Sequence, residues 1–282
     1  MRALITGATG YLGSAMLESV PADIEAIPAG FSRGDLAIDV TDARAVHSAI
    51  ERHRPDVLIH LAAVSVVASA TADPAVANAV NVGGARTVGA ASGQAGVRLV
   101  ALSSDVVFDG TEAPYAEDAI PRPINEYGVS KLAGETALAT EHPQSLILRT
   151  SVLVGRDRAD RNPFSAYVLE RARAGHQIPL FENERRNFFP VTIAAAAVWE
   201  CAAAAITGIL HIGAITSMSR FEFGQRLLAA AGFDPGLAIA AEGPPDRPSD
   251  LTLVVDRAQE LLNTPMPSMD DVITEVRRDL MT

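Results

Sequence analysis

The chain has 282 residues, 48% of them hydrophobic, with 23 Lys and Arg against 34 Asp and Glu for a formal net charge of -11. That acidity excludes a nucleic-acid binder working through a basic face, and it leaves any anionic ligand to local arginines rather than to the overall field. One cysteine, Cys201, excludes a disulfide framework and a cysteine metal cluster, and in its alanine-rich run it reads as buried filler.

The six histidines lack metal-ligand spacing. Met1 leads straight into a strand, so no signal peptide is expected. The longest apolar stretch, 194–206, contains Glu200 and falls short of the ~20 residues a bilayer span needs. The expected location is cytoplasmic, with no membrane partner.

In chain order, residues 2–6 read as a short apolar strand. Gly7-Ala8-Thr9-Gly10-Tyr11-Leu12-Gly13 follows, and an amphipathic run over 11–20 opens a helix. Strand, glycine loop and helix are the context of a dinucleotide fingerprint. Glycines allow a tight turn and close backbone approach, and the helix N-terminus offers N–H groups to a pyrophosphate. Strands are expected at 23–27 and 36–40, a helix at 42–54, a buried strand at 57–61 and a long alanine-rich helix at 74–92. A strand at 97–103, a helix at 126–141 and a strand at 145–150 complete this half. Near-continuous apolar strands separated by helices mean a parallel sheet covered on both faces. Right-handed crossovers make it doubly wound.

The pattern loosens after residue 150. A polar loop is expected over 156–163, helices at 164–174, 193–206, 220–231 and 269–281, and strands at 178–181 and 209–212. The α/β fold class is therefore a doubly wound Rossmann sheet over 1–150, with 151–282 forming mainly a smaller C-terminal α/β substrate lobe whose strands can return to the main sheet.

Tyr127 and Lys131, four residues apart on the 126–141 helix, share one face. A phenol titrates near about 10, and an adjacent ammonium lowers that value, which would make Tyr127 a proton donor or acceptor near neutrality. Such pairs arise by accident on many helices. This one accompanies a glycine-rich N-terminus and a serine-rich strand end.

Several motifs occur in order: the glycine loop, Val80-Asn81-Val82, Leu102-Ser103-Ser104-Asp105, Val107-Phe108-Asp109-Gly110, the Tyr/Lys helix, Leu148-Arg149-Thr150-Ser151, Gly208 to Gly213, Ser219 to Gly224, and Arg247-Pro248. Together they resemble the extended short-chain dehydrogenase/reductase family, and within it the dTDP-4-dehydrorhamnose reductase branch, over nearly the whole chain. The resemblance implies an NAD(P)-dependent oxidoreductase. Ser104 matches the residue that hydrogen-bonds the substrate carbonyl, Tyr127 the proton donor, and Lys131 the residue that lowers its pKa and holds the nicotinamide ribose. It implies further cofactor contacts from Gly7, Thr9, Gly10, Tyr11, Leu12, Gly13, Asp39 and Val40 at the adenine, Leu61, Ala62 and Ala63, Asn81, Ser103 and Thr150. Substrate contacts are expected from Ser65, Ser104, Asp105, Val106, Phe108, Val152 and Arg247. No metal is expected.

NAD enzymes often place a carboxylate at the end of the second strand. Here Ser32 and Arg33 stand there, with no acid before Asp35, and an arginine suits a 2′-phosphate. NADPH is therefore expected over NADH. The branch's usual tyrosine after Asp105 is Val106, its usual tryptophan after Ser151 is Val152, and the loop at 66–71 is uncharged. Lost aromatics remove stacking surface for a sugar ring, unless Phe108, Phe188 and Phe189 restore it. Arg185, Arg186 and Arg247 are the candidates for an anionic group; for the first two, a surface ion-pair cluster with Glu182 and Glu184 is an equal reading.

The leading expectation is an NADPH-dependent ketoreductase of a nucleotide-linked 4-keto-6-deoxy sugar. The alternatives are a reductase of another ketone, an epimerase, or an NADP-binding regulatory subunit without turnover, as in the methionine adenosyltransferase β subunit that resembles this branch. Homodimerisation is left open.

Overall fold

The computed structural model describes residues 1–31, 36–156, 158 and 163–281. The chain begins with β1 (Arg2–Thr6), α1 (Tyr11–Glu18), β2 (Glu25–Gly30), β3 (Leu36–Ala37), α2 (Ala43–His53) and β4 (Val57–His60). Next come α3 (Val67–Ala72), α4 (Pro74–Asn78), a π turn at Ala79–Gly84, α5 (Ala85–Ala95), β5 (Arg98–Ser104), α6 (Glu126–Glu141) and β6 (Leu146–Thr150). The remainder holds β7 (Leu153–Val154), α7 (Phe164–Arg173), β8 (Ile178–Phe181), β9 (Arg185–Arg186), β10 (Phe189–Pro190) and α8 (Val191–Ala203). It closes with β11 (Gly208–Ile212), β12 (Met218–Ser219), α9 (Arg220–Ala230), β13 (Ala238–Ala241), α10 (Asp256–Leu261) and α11 (Met269–Met281).

Seven strands form one parallel sheet in the order β11-β6-β5-β4-β1-β2-β3. The order reverses between β1 and β4, so a crevice opens there at the carboxyl ends of the strands. One apolar core lies between the sheet and α1 and α8, and a second lies under α2 and α5 on the opposite face. This is the doubly wound α/β fold expected. A third core gathers α7, β8, α9 and α11, and in it Phe188 stacks on Phe223 at 4.1 Å and on Phe164 at 5.7 Å. Strand β11 joins the main sheet beside β6.

Local chemistry sets the boundaries. Asp42 caps α2 by accepting from the backbone N–H of Arg44 at 2.9 Å, and Asn125 caps α6 by accepting from Gly128 N–H at 2.9 Å. Ser219 and Glu222 form a reciprocal capping box at the start of α9. The second strand runs later than expected and includes Pro28. That proline is tolerated because β3 pairs with only Ala29 and Gly30, leaving one side of β2 open at that point.

Two stretches differ more. The uncharged segment read as a loop contains α3, which buries Ala70. The helix expected over 74–92 is interrupted by the π turn, whose extra residue places Asn81 in the protein interior. Helix α6 crosses that turn so closely that a Cβ on Gly134 would come within 2.4 Å of the Asn81 carbonyl. Alanine-rich composition favours any helix and carries no sign of such an insertion.

Candidate active site

The glycine loop is shaped by contacts that no side chain would allow. Gly7 has φ +74°, and a Cβ there would lie 2.6 Å from Ala62 N and 2.7 Å from Leu61 C. At Gly13 a Cβ would stand 2.5 Å from the Gly7 carbonyl oxygen. The loop therefore presses against the segment after β4 while α1 sits tightly upon it. Gly10 is the N-cap of α1 and supplies no side-chain cap, which leaves first-turn N–H groups for a pyrophosphate. These features fit a dinucleotide.

Around this cradle, Thr9, Tyr11, Ala62 and Ala63 are half-buried and Leu12 is in the core, so Leu12 can serve a ligand through its backbone alone. Asp39 accepts from Thr41 N–H and Oγ at 2.9 and 2.7 Å. Val40 is buried against Gly84, where a Cβ would meet its methyl at 2.7 Å. Thr150 Oγ1 is buried without a partner among the described residues, a hydroxyl available to a ligand. Ser103 instead donates to Glu135 at 2.5 Å. Ser32 and Arg33 lie outside the described residues.

Three side chains converge beyond the cradle. Ser104 ends β5, and Tyr127 and Lys131 project from the first turns of α6. Gly128 lets the helix approach, since a Cβ there would fall 2.2 Å from the Val106 carbonyl oxygen. The Tyr127 phenol meets the Ser104 hydroxyl and packs against Ala70 and Ala77, with Val64, Val67 and Val106 around them. Lys131 Nζ donates to the Leu102 carbonyl at 2.8 Å. Asn81 accepts from Val64 N–H at 2.9 Å, and its amide donates to the Val64 carbonyl at 3.1 Å and to Ser130 Oγ at 2.9 Å. It thereby fixes the α3 segment to α6.

The electrostatics correct one expectation. Tyr127 is not lowered: burial, with the Asp105 carboxyl behind it, pushes the phenol up to about 12, and Ser104 opposes this. Apolar surroundings outweigh any help from lysine, so the phenol is firmly protonated and suited to donate. Lys131 is brought down to about 8 by burial, against the pull of Glu135. His60, beneath the lysine, is driven to about 3 by burial and by that cation, so its neutral imidazole shares a 2.8 Å hydrogen bond with Thr6.

Beside these residues lies a buried arginine cluster. Glu184, 2% exposed, meets Arg220 at 2.6 Å, Arg247 at 2.8 Å and Arg186 at 3.2 Å. These cations hold its carboxyl down at about 2 despite burial. Arg186 is no surface residue. Arg185 pairs with Glu222 at 3.3 Å on the exterior. The cluster adjoins the Ser/Tyr pair, because Arg186 stands 3.8 Å from Asp105 and Asn125 reaches the Asp246 carbonyl at 3.4 Å. Ser65 is exposed, and Val106 and Val152 are half-buried.

Phe108 is corrected to a core residue. It is 0% exposed, stacked on Tyr115 at 4.2 Å and covered by Arg149 at 5.1 Å. Phe188 and Phe189 are equally buried, so none of the three restores ring-stacking surface. Sequence reasoning missed the Glu135–Arg149 pair and the burial of Glu184. A charged residue carries no local mark of burial; the one signal was that Arg149 interrupts an apolar strand.

A doubly wound dinucleotide-binding sheet with serine, tyrosine and lysine at its carboxyl edge defines an oxidoreductase of the short-chain dehydrogenase/reductase type. Within that class the chain belongs to the RmlD substrate binding domain family, whose model matches residues 1–281. It is 30% identical over 291 residues to a probable dTDP-4,6-dihydroxy-2-methyloxan-3-one 4-ketoreductase of Streptomyces antibioticus, covering 100% of this chain and 96% of that protein. It is 38% identical over 158 residues to methionine adenosyltransferase 2 subunit beta of Rattus norvegicus, a match spanning 55% of this chain and about half, 47%, of that one. The structure of dTDP-4-dehydrorhamnose reductase from Bacillus anthracis in complex with NADP superposes with a TM-score of 0.86 at 26% identity, covering 98% of both chains. Among the described residues no helix is long and apolar enough to cross a membrane.

Proposed function

We propose that the protein is an NADPH-dependent ketoreductase that reduces the 4-keto group of a nucleotide-linked 6-deoxy sugar. The observation that carries this reading is the firmly protonated Tyr127 phenol against Ser104, one helical turn from Lys131 and beside the glycine cradle. A nicotinamide dinucleotide bound on the glycine cradle would supply the hydride. Ser104 orients the ketone by hydrogen-bonding its oxygen, and Tyr127 delivers the proton that the new alkoxide takes up. Lys131, anchored on Leu102, would hold a positive charge toward the bound cofactor. Gly7, Gly10 and Gly13 give the pyrophosphate its backbone cradle.

The arginine cluster supports a diphosphate-bearing substrate. Three guanidinium groups share one carboxylate there, and Arg247, partly exposed, can extend a second pair of donors to an anion. A cytoplasmic location goes with this reading, which leaves homodimerisation open. The similarity to a methionine adenosyltransferase subunit favours a second reading, an NADP-binding subunit without turnover; the intact Ser104, Tyr127 and Lys131 weigh against it. The test is NADPH consumption with freshly generated dTDP-4-dehydro-L-rhamnose, with NADH as control. Turnover preferring NADPH is the expected result. Tight NADPH binding without turnover of this or other ketones would transfer the weight to the regulatory reading.

A further inference from the structure

Asp105 follows Ser104 in the chain, 3% exposed, at the start of the short 3₁₀ turn Asp105–Val107. Its carboxyl is wedged between two hydroxyls: Oδ1 is 3.0 Å from Ser104 Oγ and Oδ2 is 2.6 Å from Ser151 Oγ. The cation nearest to it is Arg186, whose Nε stands 3.8 Å from Oδ2, beyond hydrogen-bond range. The two terminal nitrogens of that guanidinium are committed elsewhere. Its Nη1 donates to the carbonyls of Arg185 at 2.6 Å and Ser249 at 3.1 Å, and its Nη2 donates to Pro248 at 2.9 Å and pairs with Glu184 at 3.2 Å. The other ionisable groups facing Asp105 are Glu184, an anion that opposes a second one, and the Tyr127 phenol.

We infer that Asp105 stands as a neutral carboxylic acid and acts as a positioning residue, donating its proton in a hydrogen bond to Ser104 Oγ so that the serine hydroxyl donates to the substrate carbonyl. The inference rests on the ketoreductase reading above. Heavy-atom distances allow the Ser104–Asp105 bond in either direction. A serine has one proton to give. An ionised Asp105 would take it, leaving Ser104 to present lone pairs to a carbonyl oxygen, which repels them. A neutral Asp105 reverses the bond. Ser104 then accepts from the acid and donates onward, while Ser151 satisfies Oδ2. Burial, with Glu184 behind it, raises the carboxyl and outweighs Arg186 and the hydrogen bonds from Ser151 and Ser104, which pull the other way. No bond to hydrogen breaks at Asp105, and the proton consumed in the reaction comes from Tyr127.

The test has two readouts. In the infrared difference spectrum of wild type minus Asp105→Asn at pH 7, without substrate, the expected result is a protonated-carboxyl C=O band. Carboxylate bands in its place overturn the inference. This readout needs no turnover, so it stays distinct from a failure of the ketoreductase reading, which would show as a wild type that consumes no NADPH with any ketone. The second readout is the pH profile of kcat/KM. The acid is the working form, so wild-type kcat/KM falls as pH rises through the ionisation of Asp105. In Asp105→Asn the amide donates at every pH, so the alkaline fall loses one of its two ionisations and keeps only that of Lys131 near pH 8, while kcat/KM drops about tenfold. Asp105→Ala has no donor and loses on the order of 10²-fold, with NADPH affinity retained as the check on folding. An unchanged limb in the asparagine variant, or equal losses in both variants, overturns the assignment.

Discussion

Glu135 and Glu184 are both buried carboxylates held by arginine, but in opposite proportion. Glu135 meets one guanidinium, Arg149, at 2.7 Å, and also accepts from Ser103. Glu184 meets three, from Arg186, Arg220 and Arg247. In the first cluster the charges cancel, and the pair ties α6 to the ends of β5 and β6. It thus fixes the helix that carries Tyr127 against the strand that carries Ser104. In the second, positive charge is in excess, within a chain whose net charge is -11. A closed pair of this kind serves geometry; an open cluster leaves donors for something else. The difference separates the part of the site that holds the chemistry in register from the part that can recognise an anion.

The largest effect should come from the residue whose helix the closed pair holds in place. Tyr127→Phe removes general acid catalysis and should lower kcat by 10²–10⁴-fold, with NADPH affinity unchanged in a fluorescence titration because the glycine cradle is intact. If the variant turns over normally, the proton comes from elsewhere and the closed pair is not holding a catalytic tyrosine. Breaking the closed pair is next. Glu135→Ala strands Arg149 in the core and should cost about 3–5 kcal/mol in urea unfolding. A loss within the range of a surface substitution would show that Glu135 does not pin α6.

The open cluster should respond in binding rather than in folding. After Arg247→Ala, Glu184 still has Arg186 and Arg220, so unfolding should change little. KM for a nucleotide-linked ketone should rise about 10–100-fold, the range expected when a hydrogen bond to a charged group is lost. Its kcat should hold, and a ketone without phosphates should be unaffected. An equal loss on both ketones would make the cluster a structural device like its counterpart.

The two regions were unequally legible. The glycine loop and the Tyr127/Lys131 spacing are local, since each feature's meaning lies within a few residues, and the 126–141 helix came out with the expected ends. Asn81 stood out in sequence, but the π turn that buries it was not foreseen, because helix composition does not register one inserted residue. The clusters were illegible for a different reason. Glu184 and Arg186 look like a surface pair in sequence, and only the convergence of β9, α9 and the loop at 247 buries them. The direction of the Tyr127 shift failed similarly. The nearby lysine was visible in sequence, but the apolar wall of Ala70, Ala77 and Val67 was not.

The smallest effect concerns Lys131, which lies one turn before Glu135. Burial lowers its pKa to about 8 while Glu135 pulls the other way. The ammonium is therefore charged below about pH 8 and loses its proton as pH rises through that value. Activity should fall by half near there and continue downward. Stability should move in the opposite sense. Between about 8 and the unfolded lysine's ordinary value near 10.5, the unfolded chain binds more protons than the folded one, so stability contributed by this residue rises with pH across that window. Lys131→Met should remove both of these contributions, leaving in the activity profile only the fall set by Asp105. With Glu135→Gln, which withdraws the anion that supports the ammonium, the activity limb should move to lower pH. A limb that stays in place would mean that the closed pair is electrically silent toward the lysine and acts on the site through geometry alone.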